Sequence, residues 1–311
     1  MRPALSVIFF TVSSGAGLGL LVWLVVLAST GFAGNMSVGS MLSMLALGMG
    51  LTTAGLISST LHLANPKNAW RAFSRVRTSW LSREGVLALA LYPVAALYAS
   101  LLMIGFDSSH ALFACVGLLL AILALGVLFC TGMIYACLKT VPRWNTRLVP
   151  ACYVLLGLYS GALAGLPFIT VSSGGVSKQV TVVLALLVLA LLVKAVYYFR
   201  FRTPKVQYTI NNALTLGPKS IRLLDVGHTH GTFLTDEFCF KLARGHALLL
   251  RMVAVAAGFA LPFVLLASGA NGVIPLGVAG LACALGLLAE RWLFFAEAEH
   301  VVRLYHGASR V

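Results

Sequence analysis

The residues best suited to chemistry lie in and beside one short stretch, Leu61-His62-Leu63-Ala64-Asn65-Pro66-Lys67-Asn68-Ala69-Trp70-Arg71, which continues to Thr78-Ser79-Trp80-Leu81-Ser82-Arg83-Glu84. It joins two long apolar runs. His62 closes the first run and Glu84 opens the second, so the two side chains can meet at one edge of a bilayer. An ionisable group at the edge of hydrocarbon is costly unless it is paired or used. Quinone chemistry would use both, because each two-electron step also moves two protons at the ring oxygens, and an imidazole beside a carboxylate can relay them. The same spacing also fits a histidine that caps a helix and a glutamate held by Arg83 or by a helix N-terminus.

The rest of the chain supplies the frame that must hold these groups. In 311 residues, 60% are hydrophobic and 10% charged, and the mean hydropathy is +0.97. That is more apolar side chain than a soluble core of this size can bury. A soluble enzyme, a disordered chain and a disulfide scaffold are excluded. Eight runs are long enough to cross a membrane: 5–29, 40–63, 85–105, 111–134, 148–170, 179–199, 247–268 and 274–296. The expected fold is therefore an all-α integral membrane protein, a bundle of eight transmembrane helices forming one polytopic domain over 1–311. The first run follows a single basic residue, Arg2, and is too long for a signal-peptide core, so it reads as a retained helix.

Charge fixes the expected orientation. Almost all of the 22 Lys and Arg residues fall on the even side of the eight-run pattern, with Lys194 at the inner end of the sixth run and Lys178 alone on the other side. The positive-inside rule then places both termini in the cytoplasm. Topology thus accounts for most of the net charge of +14 without nucleic-acid binding. Residues 200–246 form the sizeable connection, a long cytoplasmic loop with breakers at Thr203-Pro204 and Leu216-Gly217-Pro218; a loop of that length suits docking or covering a site.

Other motifs have structural readings. Ser13-Ser14-Gly15-Ala16-Gly17-Leu18-Gly19 resembles a phosphate loop only superficially, because it lies within an apolar run and lacks the lysine. Gly157, Gly161 and Gly165 form a ridge for close helix approach. Cys115, Cys130, Cys137, Cys152, Cys239 and Cys283 show no metal-ligand spacing and read as packing residues. His62, His246 and His300 could pair on a haem, but membrane haems are clasped deep between helices and the runs are nearly free of histidine, so no haem and no iron–sulfur cluster is expected in this chain. His228 and His230 lack convincing further ligands for a metal. Arg71 and Arg75, with neighbouring Trp70 and Phe73, are expected on a short interfacial helix, with Ser82 as the cap of the third run.

Taken together, Leu61 to Trp70 and Thr78 to Glu84 resemble the hallmark between helices two and three of the dimethyl-sulfoxide-reductase-type membrane anchor subunits. Tyr135 to Thr140 with Val141-Pro142-Arg143-Trp144 is similar to that family's stretch after helix four, and Glu290-Arg291-Trp292-Leu293-Phe294-Phe295 to its last helix. The resemblance implies an anchor in a bacterial-type cytoplasmic membrane, bound to an iron–sulfur electron-transfer subunit and a molybdopterin catalytic subunit. Those partners would hold the molybdopterin and the clusters, while this chain exchanges electrons with quinone or quinol and has no chemistry on the partner's substrate. Its quinone-associated histidine maps to His62 and its acidic residue to Glu84; Arg83, Tyr135 and Arg291 are expected neighbours, and Arg71, Arg75 and Arg77 an expected docking patch. Residues 228–238 and 243–246 look more like the branch associated with cytoplasmic sulfite-oxidising complexes, the sulfite dehydrogenase anchors. The alternatives are an anchor for a sulfoxide or N-oxide reductase fed by quinol, and a small-molecule transporter, which would favour inverted repeats and polar groups at the midplane.

Overall fold

In a computed structural model, residues 3–306 and 308 are described, apart from 33, 35, 62–64, 108, 174–175, 203–207, 216–220, 222–224 and 226–242. Most of the 200–246 connection, with His228, His230 and Cys239, therefore lies outside the described residues. Among the described residues, eight helices are long and apolar enough to cross a membrane: α1 (Leu5–Thr30), α2 (Val38–Thr60), α3 (Trp80–Met103), α4 (Ala111–Ala136), α5 (Leu148–Ser173), α6 (Ser177–Arg202), α7 and α8 (Val273–Ala296). α7 runs as Ala243–Val255, a π-helical turn at Ala256–Ala260 and Leu261–Ala267. No strand forms among the described residues. The chain is a multi-pass helical membrane protein.

α1 is the most enclosed helix, packed on α2, α4, α5 and α8. Small residues permit this. A Cβ on Gly19 would collide with the Gly157 carbonyl oxygen, and one on Gly161 with the Leu20 nitrogen, so the glycine run of the first helix and the ridge of the fifth form one seam. Hydroxyls buried here bond to helix carbonyls, Ser14 to Phe10 and Ser13 across to Leu51 at 2.8 Å. Large apolar side chains such as Leu119, Ile122, Val196 and Leu281 are exposed on the outside, where hydrocarbon covers them at no cost.

The π turn in α7 has a local cause. Pro262 has no N–H to give the carbonyl of Gly258, and the Tyr159 hydroxyl donates to that oxygen instead, at 2.9 Å. Gly258 also lies against Gly286 of α8, where an added Cβ would collide with its nitrogen.

The third span corrects an expectation. It starts at Trp80, not near 85, because Ser79 is the cap and accepts the Ser82 amide; Ser82, expected as the cap, lies in the first turn. Its hydroxyl donates to the Ala72 carbonyl and ties the start of α3 to a 3-10 helix, Pro66–Arg75, which carries Trp70, Arg71, Phe73 and Arg75 where a short helix is expected. Glu84 is consequently a full turn inside α3.

Candidate functional site

The starts of α1 and α3, the ends of α2 and α4 and the 3-10 helix meet at the end of the bundle that carries most of the basic residues. They enclose a cavity of about 810 Å³. Phe10, Leu56, Ile57, Leu81 and Leu89 make most of its surface apolar, and Phe73 of the 3-10 helix closes one side. Phe73 can lie against α3 because residue 85 is glycine: a Cβ there would meet the Phe73 ring at 3.1 Å.

Polar groups enter the wall at few points. Glu84 is buried, at 4% exposure, and its carboxylate accepts a hydrogen bond from the Thr131 hydroxyl of α4. Tyr135 lies in the wall one turn beyond Thr131. The Tyr92 hydroxyl shares a hydrogen bond with Thr53 at 2.8 Å, while Ser59 and Thr60 bond back to carbonyls of α2. Such a space suits an uncharged ring with polar edges and an apolar tail.

Tyr135 is held by an aromatic cluster. Its ring stacks on Tyr153 at 5.6 Å and meets Trp144, Phe294 and Phe295 edge-on at 5.2, 5.6 and 5.3 Å. Trp144 is fixed by donating its indole N–H to the Phe294 carbonyl at 3.1 Å. The stretch after α4 and the end of α8, far apart in sequence, thus build one wall of the cavity.

Two of the sequence candidates stand elsewhere. Arg83 does not pair with Glu84; it donates to the Val76 and Arg77 carbonyls at 2.9 and 2.7 Å and lies 4.2 Å over the Trp80 ring, bracing the turn into α3. Arg291 sits behind the wall, its guanidinium 3.7 Å from the centre of the Tyr153 ring and its Nε 3.4 Å from Glu290. His62 lies outside the described residues, two positions beyond the wall residue Thr60. Arg71, Arg75 and Arg77 are exposed on and just after the 3-10 helix. Of the histidines that could pair on a haem, His300 accepts the Val302 amide at Nδ1, 3.0 Å away, and burial pushes its imidazole pKa down; the side chain of His246 is outside the described residues.

Sequence reasoning missed Thr131 and Lys194. Thr131 is a hydroxyl in the middle of an apolar run, and such a group needs a partner. Lys194 appeared only as a topology marker. It forms a buried ion pair with Glu290, which also meets Arg291. Among the described residues, no group of three or more His, Cys, Asp or Glu could hold a metal ion.

The chain is thus a multi-pass membrane protein with a mostly apolar cavity at its basic end, walled in part by the segment between helices two and three. The sequence matches the DMSO reductase anchor subunit (DmsC) family over residues 1–296, and the chain belongs to that family. It is also 31% identical over 327 residues to a sulfite dehydrogenase subunit from Allochromatium vinosum (strain ATCC 17899 / DSM 180 / NBRC 103801 / NCIMB 10441 / D), covering 98% of this chain and 99% of that relative.

Proposed function

We propose that this chain is the membrane anchor and quinone-reactive electron-transfer subunit of a heterotrimeric molybdopterin oxidoreductase, passing electrons from cytoplasmic sulfite oxidation to quinone. The observation that carries the reading is the cavity holding Glu84 and Tyr135 in a mostly apolar wall. The name of the relative favours sulfite as the partner's substrate. A bound quinone takes up two electrons and two protons at its ring oxygens. Glu84 holds or releases a proton at its carboxylate, and the Thr131 hydroxyl orients that group. Tyr135 offers a hydroxyl hydrogen bond, His62 is the further hydrogen-bonding partner that the resemblance implies, and Phe10, Leu56 and Leu89 exclude water and accommodate the tail. The basic end of the bundle faces the cytoplasm in this reading.

The test is purification of the native complex, followed by assays with sulfite and with dimethyl sulfoxide, each coupled to a quinone or quinol analogue. Sulfite-dependent quinone reduction by a preparation containing molybdenum and iron–sulfur subunits is the expected result. Turnover of dimethyl sulfoxide alone would reverse the direction of electron flow, and purification of the chain without such partners would refute the anchor role.

The iron–sulfur partner docks on the exposed arginines of the 3-10 helix, on the 200–246 connection and on the C-terminal tail. Charge reversal at Arg75 and Arg77 together is expected to weaken copurification of the partners most at low salt, and the difference from the unaltered chain should narrow as salt is raised over about 0.05–0.3 M, where screening shortens the reach of exposed charges. Copurification independent of both charge and salt would remove this patch from the interface.

A further inference from the structure

Helices α6 and α7 separate toward the basic end. They pack on each other through Leu261–Ala267, whereas Ala243–Val255 packs on α8, and a second cavity of about 480 Å³ lies in the cleft. Its deeper wall is apolar, formed by Leu191, Ala195, Ala254 and Phe259. Its polar end holds Arg143, Lys194 and Arg251. Arg143 and Arg251 both bond to one carboxylate, Glu297, and Lys194 and Arg291 both pair with another, Glu290. Four cations therefore share two carboxylates, and the cluster carries two positive charges in excess among the described residues.

Phe199 of α6 and Val255 of α7 line the cleft and are exposed apolar side chains. Val196 on α6 and Leu248 and Met252 on α7 are exposed and apolar as well, a surface that suits a mouth open to hydrocarbon. Arg251 and Arg143 are 44% and 35% exposed at their side chains, so a ligand can reach them, while Lys194 and Glu290 form a closed floor. Cations at the level of the headgroups above an apolar trough open to hydrocarbon match a lipid with an anionic head. A quinone could fill the trough, but its uncharged ring would leave the excess charge uncompensated.

We propose that the α6–α7 cleft binds an anionic phospholipid, with its phosphate at Arg143 and Arg251 and one acyl chain along Leu191, Ala195 and Phe259. The test uses the purified complex, delipidated in detergent, with the unfolding midpoint of this subunit followed during titration with phosphatidylglycerol, with phosphatidylcholine and with inorganic phosphate. Phosphatidylglycerol should raise the midpoint saturably, as a ligand of the folded state does, and the other two should not. Arg143→Gln with Arg251→Gln should weaken the effect at least tenfold and remove phosphatidylglycerol from the copurifying lipid. Since those changes also unpair Glu297, Ala195→Trp serves as the second variant: it fills the trough, keeps every charge, and should abolish the same response. Equal stabilisation by phosphatidylcholine would mean a bulk bilayer effect, and stabilisation by phosphate alone a soluble-anion site. Quinone copurifying in place of lipid, or a response undiminished in Ala195→Trp, would likewise overturn the proposal.

Discussion

Glu84→Gln is expected to lower quinone-linked turnover by about 100-fold, the scale on which removal of a positioned proton carrier acts, while electron transfer from the catalytic partner to a soluble dye continues unchanged. The amide keeps the shape of the carboxyl group and still accepts the Thr131 hydroxyl hydrogen, so α3 and α4 keep their contact. What disappears is the capacity to take up and release a proton inside an apolar wall. His62→Leu should give the same separation of quinone and dye activities, because it removes the other proposed partner of the ring oxygens. Thr131→Val should be milder: the carboxyl remains but loses its orienting bond, and a loss of roughly tenfold is expected for one hydrogen bond of about 1.5 kcal/mol. Full quinone turnover in Glu84→Gln would remove this cavity as the reactive site. Loss of both activities together with the partner subunits would show that Glu84 serves assembly.

The contrast between Glu84 and Arg83 shows what a sequence can and cannot place. Apolar run lengths located all eight spans, since a helix must satisfy its own backbone across hydrocarbon and therefore leaves a continuous record in the chain. The segment from Leu61 to Glu84 was legible as a special junction because its aromatic and basic residues interrupt that record. Which of two adjacent charges turns inward was not legible. That depended on the cap: with Ser79 beginning the helix, Glu84 points at α4 and Arg83 turns back onto the Val76 and Arg77 carbonyls. The glycine ridge on α5 was readable as a packing surface, but its partner, the glycine run of α1, became identifiable only from the fold. Long-range polar pairs were the least accessible. Lys194 and Glu290 lie on different spans, and nothing in their local sequences marks them for each other.

That pair and its neighbour lead to the largest expected effect on stability. Glu290 lies between Lys194 and Arg291, and the three side chains are nearly closed to solvent, at 2–5% exposure. Removing the lysine in Lys194→Met leaves Glu290 with Arg291, still a neutral pair, and replaces a buried ammonium by an apolar chain of similar length. Removing the carboxylate in Glu290→Gln leaves two cations facing a neutral amide, and the guanidinium cannot shed its proton as a lone buried ammonium can. Unpairing a buried charge costs about 3–5 kcal/mol, whereas exchanging an ion pair for apolar packing is often close to neutral. Glu290→Gln is therefore expected to lower the unfolding midpoint of the detergent-purified complex far more than Lys194→Met, and adding Lys194→Met to Glu290→Gln should recover part of the loss by removing one of the stranded cations. Unfolding of this subunit followed by tryptophan fluorescence provides the measurement, since Trp144 packs directly on Phe294 near the cluster. If Lys194→Met were the more damaging substitution, or if the double variant were worse than Glu290→Gln alone, charge balance around Glu290 would not be what sets the stability of this cluster.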